Sequence, residues 1–86
     1  MWRVYVPTPA LKNLARFPEP DATAIWAALD EMKINPLAGH TRRLRGGVAY
    51  RRRVRDYRII FDLNPTLRFV QIKTIERRTS TTYRKR

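Results

Sequence analysis

The stretch that most constrains this chain is AYRRRVRDYRIIFDL, residues 49–63. Its second half alternates aromatic and β-branched residues with polar ones, and the polar pair Arg55-Asp56 precedes that half. This pattern predicts two antiparallel β-strands joined by a tight turn near Arg55 and Asp56. We expect the rest of the chain to be organised around this hairpin.

The hairpin collects arginine on one of its faces. Successive side chains of a strand point to opposite faces, so Arg51 and Arg53 share a face of the first strand. In the second strand Arg58 lies opposite to the apolar face that begins with Tyr57 and Ile59. If the apolar faces turn to the core, the guanidiniums of Arg51, Arg53 and Arg58 converge on the outer surface. Because crowded cations repel one another, such a surface favours contact with a polyanion.

The overall charge indicates the same kind of ligand. The chain has 19 Lys and Arg against 7 Asp and Glu, which gives a net charge of +12. Residues 42–58 hold eight arginines and one acidic residue, so the positive charge is clustered. Guanidinium grips phosphate through paired hydrogen bonds, and we therefore expect a nucleic acid, or an acidic protein that blocks that contact, as partner.

Composition narrows the classes of protein to which this chain can belong. With no cysteine and one histidine, we expect neither disulfides nor a metal cluster, and we predict no cofactor. A hydrophobic fraction of 43% is enough for one core, so residues 1–86 are predicted to form a single domain. No apolar run approaches the roughly 20 residues of a membrane span. No signal-peptide pattern precedes the first strand, so we expect a cytoplasmic protein without a membrane partner.

The other segments predict the remaining elements. Residues 2–6 alternate as a first strand that Pro7 ends, and two short helices follow, the second running to about Lys33. The breakers between Asn35 and Gly39 predict that residues 34–41 form a loop. Residues 67–75 predict a last strand, with Thr74 on the same face as two apolar neighbours.

This order predicts an α+β fold. It consists of an N-terminal strand, a two-helix hairpin and then a three-stranded antiparallel meander, with both helices packed on one face of a small twisted sheet.

The chain resembles the RelE/ParE superfamily, the toxin halves of bacterial type II toxin–antitoxin pairs. The resemblance spans nearly the whole chain. It rests on the opening strand and helical hairpin, on Pro36 followed by RLRG at residues 43–46, on the basic hairpin, and on the ending from residue 75 to Tyr83. Its most specific motif is DYRIIF, residues 56–61, which follows a basic strand.

The resemblance implies an activity and a set of residues. RelE-type members cleave mRNA in the ribosomal A site, and the spacing from Arg77 to Tyr83 fits that type, so we expect an endoribonuclease (mRNA interferase). Carried over by position, the catalytic residues would be Arg51, Arg53, Arg58, Arg77 and Tyr83, with Arg52 as an alternative to Arg51. The residues expected to bind RNA around them are Arg43, Arg45, Arg52, Lys73 and Arg78.

The identity of the general base stays open at this point. The first-strand pair of the RelE type is typically lysine, whereas this chain has arginine, which effectively keeps its proton. Glu76, Lys73 and His40 have suitable chemistry. Arg52 stands where related sequences often have an apolar residue. Either the strand is locally shifted, or Arg52 reaches solvent at the sheet edge along its aliphatic stem.

Two other functions also remain open. The ParE-type members of the superfamily inhibit DNA gyrase, and a non-catalytic basic module would bind RNA without cutting it. Under all three functions the resemblance implies a cognate antitoxin, with which the chain would form a hetero-oligomer. The ribosome and mRNA are the further partners that the RelE type implies.

Overall fold

The computed structural model describes residues 1–78. The strands and helices in this range, in chain order, are β1 (Arg3–Tyr5), α1 (Thr8–Arg16), α2 (Glu19–Met32), β2 (His40–Arg43), β3 (Tyr50–Val54), β4 (Tyr57–Asn64) and β5 (Phe69–Arg77). They form one sheet in the order β1-β5-β4-β3-β2, in which β1 runs parallel to β5 and the other neighbours are antiparallel.

Both helices begin at prolines. Pro7 and Pro18 are the residues before α1 and α2, and each helix has a further proline in its first turn, where the missing N–H costs no hydrogen bond. Glu19 and Asp21 place negative charge at the N-terminus of α2, which complements the helix dipole. Neither helix of residues 1–78 is long and apolar enough to cross a membrane.

The core lies between the helix pair and one face of the sheet. The helices bury Ala10, Leu14, Ile25, Ala28, Leu29 and Met32. The sheet buries Tyr57, Ile59, Phe61, Val70, Ile72 and Ile75. This arrangement confirms the predicted α+β fold, with the helices on one face. The opposite sheet face, which we call the open face, is covered by neither α1 nor α2.

Strand β2 is an addition to the predicted fold. The loop prediction covers residues 34–41, but the chain becomes extended at His40 and pairs with β3 through Arg43. Gly39 directly before it has a φ of +70°, a conformation that favours glycine. The prediction is therefore wrong for His40 and Thr41, because a four-residue polar strand has no apolar alternation to reveal it.

Strand β5 contains a β-bulge at Lys73. Ile60 pairs with Thr74 while Phe61 pairs with Ile72, so Lys73 is a surplus residue in the ladder. The alternation of side chains reverses there, and Ile75 is buried where simple counting predicted Thr74. Thr74 and Ile75 consequently lie on the faces opposite to those that simple alternation predicts.

Candidate active site

The open face brings three of the predicted catalytic arginines together. Arg53 lies directly opposite Arg58 in the β3–β4 ladder, and Arg51 lies opposite Ile60. Directly opposed residues of an antiparallel pair have Cβ atoms about 4.5–5.5 Å apart. Arg51 is two residues from Arg53 and so shares its face. The three guanidiniums thus stand side by side on adjacent strands.

Strand β2 extends this surface with residues whose position the polar sequence of the strand did not predict. His40 pairs with Arg53, and Arg42 pairs with Arg51. A row that we call the histidine row crosses four strands of the open face and consists of His40, Arg53, Arg58 and Glu76. A shallow depression at the β2 end of the row is lined by Gly39, His40, Thr41, Arg42 and Arg51.

Arg51 lies at the centre of several positive charges. Burial, and then the positive charges of Arg53, Arg42, Arg78 and Arg58, lower the pKa of Arg51 below its ordinary value. The Nε atoms of Arg51 and Arg53 are buried and have no hydrogen-bond partner within residues 1–78. An anion bound at the outer ends of these crowded guanidiniums would be stabilised by their charge and by charge-assisted hydrogen bonds.

The nearby carboxylates are already paired. Glu76 Oε1 accepts from Arg58 Nε at 3.1 Å and lies 3.0 Å from Arg58 Nη2. Asp62 Oδ2 lies 3.6 Å from Lys73 Nζ. Both side chains of the Arg58–Glu76 pair are more than two-fifths exposed, at 47% and 43%. Such exposed pairs contribute about 0–1 kcal/mol, so a phosphate can displace Glu76 at little cost.

Arg52 lies on the other face, under α2. Its exposure is 7%, its guanidinium forms an ion pair with Glu31, and its Nη1 donates to the carbonyl of Ala28 at 3.5 Å. The prediction that Arg52 reaches solvent and contacts RNA is therefore wrong. The cation is held by the negative C-terminal end of α2 and by the Glu31 carboxylate. A Cβ at Gly39 would lie 2.7 Å from Arg52 Nη2, so this close approach also requires glycine.

Arg77, at the end of β5, and Arg78, directly after it, exchange places with respect to the prediction. Arg77 pairs with Tyr57 and lies on the helix side, its guanidinium carbon 5.9 Å from the Tyr57 ring centre. It does not join the open-face cluster, because the bulge has reversed the alternation. Arg78 is close enough to lower the pKa of Arg51, and its N–H donates to Asp56 O at 2.6 Å.

The remaining residues predicted to form the site lie around the arginine cluster or away from it. Arg43 pairs with Tyr50 and so lies on the helix side of β2, and Arg45 is exposed in the connection to β3. Lys73 stands in the bulge beside Asp62. Tyr83 lies outside the described residues. The roles given to all of these residues stay predictions.

Solved structures with the same fold include a RelE toxin. The isolated E. coli RelE toxin matches with a TM-score of 0.78 and 18% identity, over 96% of this chain and 92% of that chain. The chain has the RelE fold. The archaeal RelE–RelB complex from Pyrococcus horikoshii OT3 matches with a TM-score of 0.83 and 22% identity, over 92% of this chain and 97% of that chain.

A third structure with the RelE fold is the RelBE2 toxin–antitoxin complex from Mycobacterium tuberculosis. It matches with a TM-score of 0.79 and 20% identity, over 90% of this chain and 98% of that chain. No protein-family model and no curated protein matches the sequence. The RelE fold that the resemblance implied is thus confirmed in three dimensions at low sequence identity.

Proposed function

We propose that this chain is the toxin of a type II toxin–antitoxin pair and that it cleaves mRNA in the ribosomal A site without a metal ion. The observation that carries this proposal is the cluster of Arg51, Arg53 and Arg58 on the open face of a RelE fold. Crowded guanidiniums on a helix-free part of the sheet are suited to a phosphate group.

RNA cleavage requires stabilisation of negative charge in the transition state, and this cluster supplies positive charge. Cleavage of RNA through its own 2′-hydroxyl builds negative charge on the phosphorane oxygens in the transition state. Arg51 and Arg53 hold fixed positive charge for that moment, and their mutual repulsion is relieved most when the phosphate charge is greatest. Loss of one such preorganised donor typically lowers the rate by about 10²–10³-fold.

A second candidate function is binding of RNA without cleavage. The observation that favours it is that β3 carries arginine at all of its three central positions. Arginine stays protonated and cannot act as a base. Salt-sensitive RNA binding without any cut would support this function over the nuclease.

We also propose that the chain binds a cognate antitoxin. Structures from P. horikoshii and M. tuberculosis with the same fold are complexes of a toxin with its antitoxin. A net charge of +12 would favour an acidic partner. Co-expression with the product of the neighbouring gene should restore growth, and the two proteins should copurify.

The test of the nuclease is to express the chain alone in bacteria and map mRNA 5′ ends. We expect in-frame cuts confined to translated messages, and loss of those cuts in the Arg51→Ala/Arg53→Ala variant. The matched control is Lys12→Ala/Arg16→Ala, which removes the same charge from exposed positions of α1.

Three outcomes of this experiment separate the candidates. Cuts that persist in the open-face variant would contradict the proposed site. Growth arrest without cuts, together with inhibition in a gyrase supercoiling assay, would favour the ParE type. RNA binding without arrest would favour the non-catalytic module.

A further inference from the structure

We propose that His40 is the general base of the cleavage and accepts the proton of the attacking 2′-hydroxyl. This inference rests on the proposed nuclease function and names a residue for the one role that the arginines cannot fill. It follows from the position of β2, which places the imidazole beside the phosphate-binding cluster.

Register fixes the location of His40. It lies directly opposite Arg53 at the end of the histidine row, with Arg58 one strand further on. Its side chain is exposed and lines the depression that also contains Arg42 and Arg51. A phosphate held by Arg51 and Arg53 would therefore present its ribose next to the imidazole.

The turn before β2 holds this strand end in place. Thr41 Oγ1 donates to the carbonyl of Ala38 at 2.6 Å, and the Thr41 N–H donates to the carbonyl of Gly39 at 2.9 Å. The positive φ of Gly39 permits this tight turn. His40 thus projects from a short edge strand that is held by this turn and by its pairing with β3, and its imidazole starts from a defined backbone position.

The other candidate bases lie further from the Arg51–Arg53 pair. Glu76 ends the histidine row on β5, two strands from Arg53, and Lys73 stands in the bulge of the same strand beside Asp62. Imidazole is the side chain that takes up and releases protons around neutral pH. The charged groups of the open face around His40 are Arg42 on its own strand and Arg51 and Arg53 on β3. Arg58, Glu76 and Arg78 lie further along the sheet.

The proposed step is balanced in atoms and charge. The 2′-oxygen transfers its proton to the neutral imidazole of His40 and forms a bond to phosphorus, while the bond from phosphorus to the 5′-oxygen breaks. The 5′-oxygen takes a proton from water, and the imidazolium later returns its proton to water. The products are a 2′,3′-cyclic phosphate and a 5′-hydroxyl end.

The experiment measures single-turnover cleavage of mRNA on programmed ribosomes between about pH 5.5 and 8.5, the range in which imidazole chemistry operates in proteins. We expect the wild-type rate to rise with pH and then level off. The His40→Gln variant should be about 10²–10⁴-fold slower, as is typical for loss of a general base, and should lose that rise. Lys12→Gln on α1 is the control and should match the wild type.

A chemical rescue separates catalysis from positioning. Added imidazole should restore part of the cleavage in His40→Ala but not in Arg53→Ala, because only the first variant lacks a proton acceptor. A His40→Gln rate within about threefold of wild type, with the same pH profile, would overturn the role of His40 while the nuclease stands. Absence of cleavage by the wild type would overturn both proposals.

Discussion

Arg52 and Arg53 are chemically identical neighbours in opposite environments. Arg52 is buried under α2 with Glu31 and the Ala28 carbonyl, whereas Arg53 stands on the open face among other cations. The strand period alone assigns the two side chains to different faces. One arginine therefore connects the sheet to the helix layer, and the other is left for a ligand.

This contrast predicts opposite effects on stability. Arg52→Ala should lower the free energy of unfolding by about 1–3 kcal/mol, because it removes buried hydrogen bonds and packing. Arg53→Ala should leave that free energy unchanged or raise it slightly, because it removes a repelling charge. Urea unfolding, followed by tryptophan fluorescence, measures both. Equal losses in the two variants would contradict the assignment of the faces.

The sequence could reveal the face of Arg52 but not its partner. Alternation places Arg52 with Tyr50 and Val54, and this assignment agrees with the structure. Its burial depends on Glu31, which lies 21 residues away on α2. A contact of this kind arises from the packing of one element on another, so local pattern gives no signal for it.

At the scale of elements, Tyr57 joins β4 to the start of α2. Its hydroxyl donates to Asp21 Oδ2 at 2.9 Å, and Arg55 Nη1 from the β3–β4 turn reaches Asp21 Oδ1 at 3.0 Å. Burial, and then the Asp21 carboxylate, raise the pKa of the Tyr57 hydroxyl above its ordinary value. The neutral phenol is therefore favoured in the folded state.

The raised pKa of the Tyr57 hydroxyl determines the direction in which stability changes with pH. Above about pH 10, the tyrosine of the unfolded chain loses its proton before that of the folded chain, so stability falls as pH rises. Tyr57→Phe should cost about 1 kcal/mol at neutral pH and should show a shallower fall above pH 10. Urea unfolding at pH 7, 9 and 10.5 compares the two proteins. Equal slopes would mean that Tyr57 does not contribute.

Elements with a regular apolar pattern were predictable, and β2 was not. The hairpin, the last strand and both helices carry periodic apolar residues, and the structure contains each of them. Strand β2 is formed by HTRR, whose pairing with β3 is its only strand-like property. Missing β2 also hid the placement of His40 and Arg42 on the open face, because their position opposite Arg53 and Arg51 follows from that pairing.

At the scale of the whole molecule, charge opposes folding. The net charge is +12, and its densest part lies on a single face of the sheet. Repulsion within that face destabilises the folded state unless salt or a polyanion screens it.

The parallel contact between β1 and β5 joins distant parts of the chain and had no local signal in the sequence.

The unliganded protein should therefore become more stable as salt is added. Raising NaCl from low to moderate concentration should increase the melting temperature, by about 4–8 °C for each kcal/mol of repulsion removed. The rise should be smaller in Arg51→Ala/Arg53→Ala than in Lys12→Ala/Arg16→Ala, although both lose the same charge. Thermal melts followed by circular dichroism test this. An equal rise in both variants would show that the open face carries no special repulsion.

The surplus residue at position 73 has a consequence for how relatives are aligned. Beyond it, the face of a position in β5 follows from the residue it pairs with, and simple alternation counted from the start of the strand assigns it to the wrong side of the sheet. Roles transferred by such counting fall on Arg77, although Arg78 is the neighbour of the basic cluster. Strand partners are therefore the safer guide when a function is carried from one member of this fold to another.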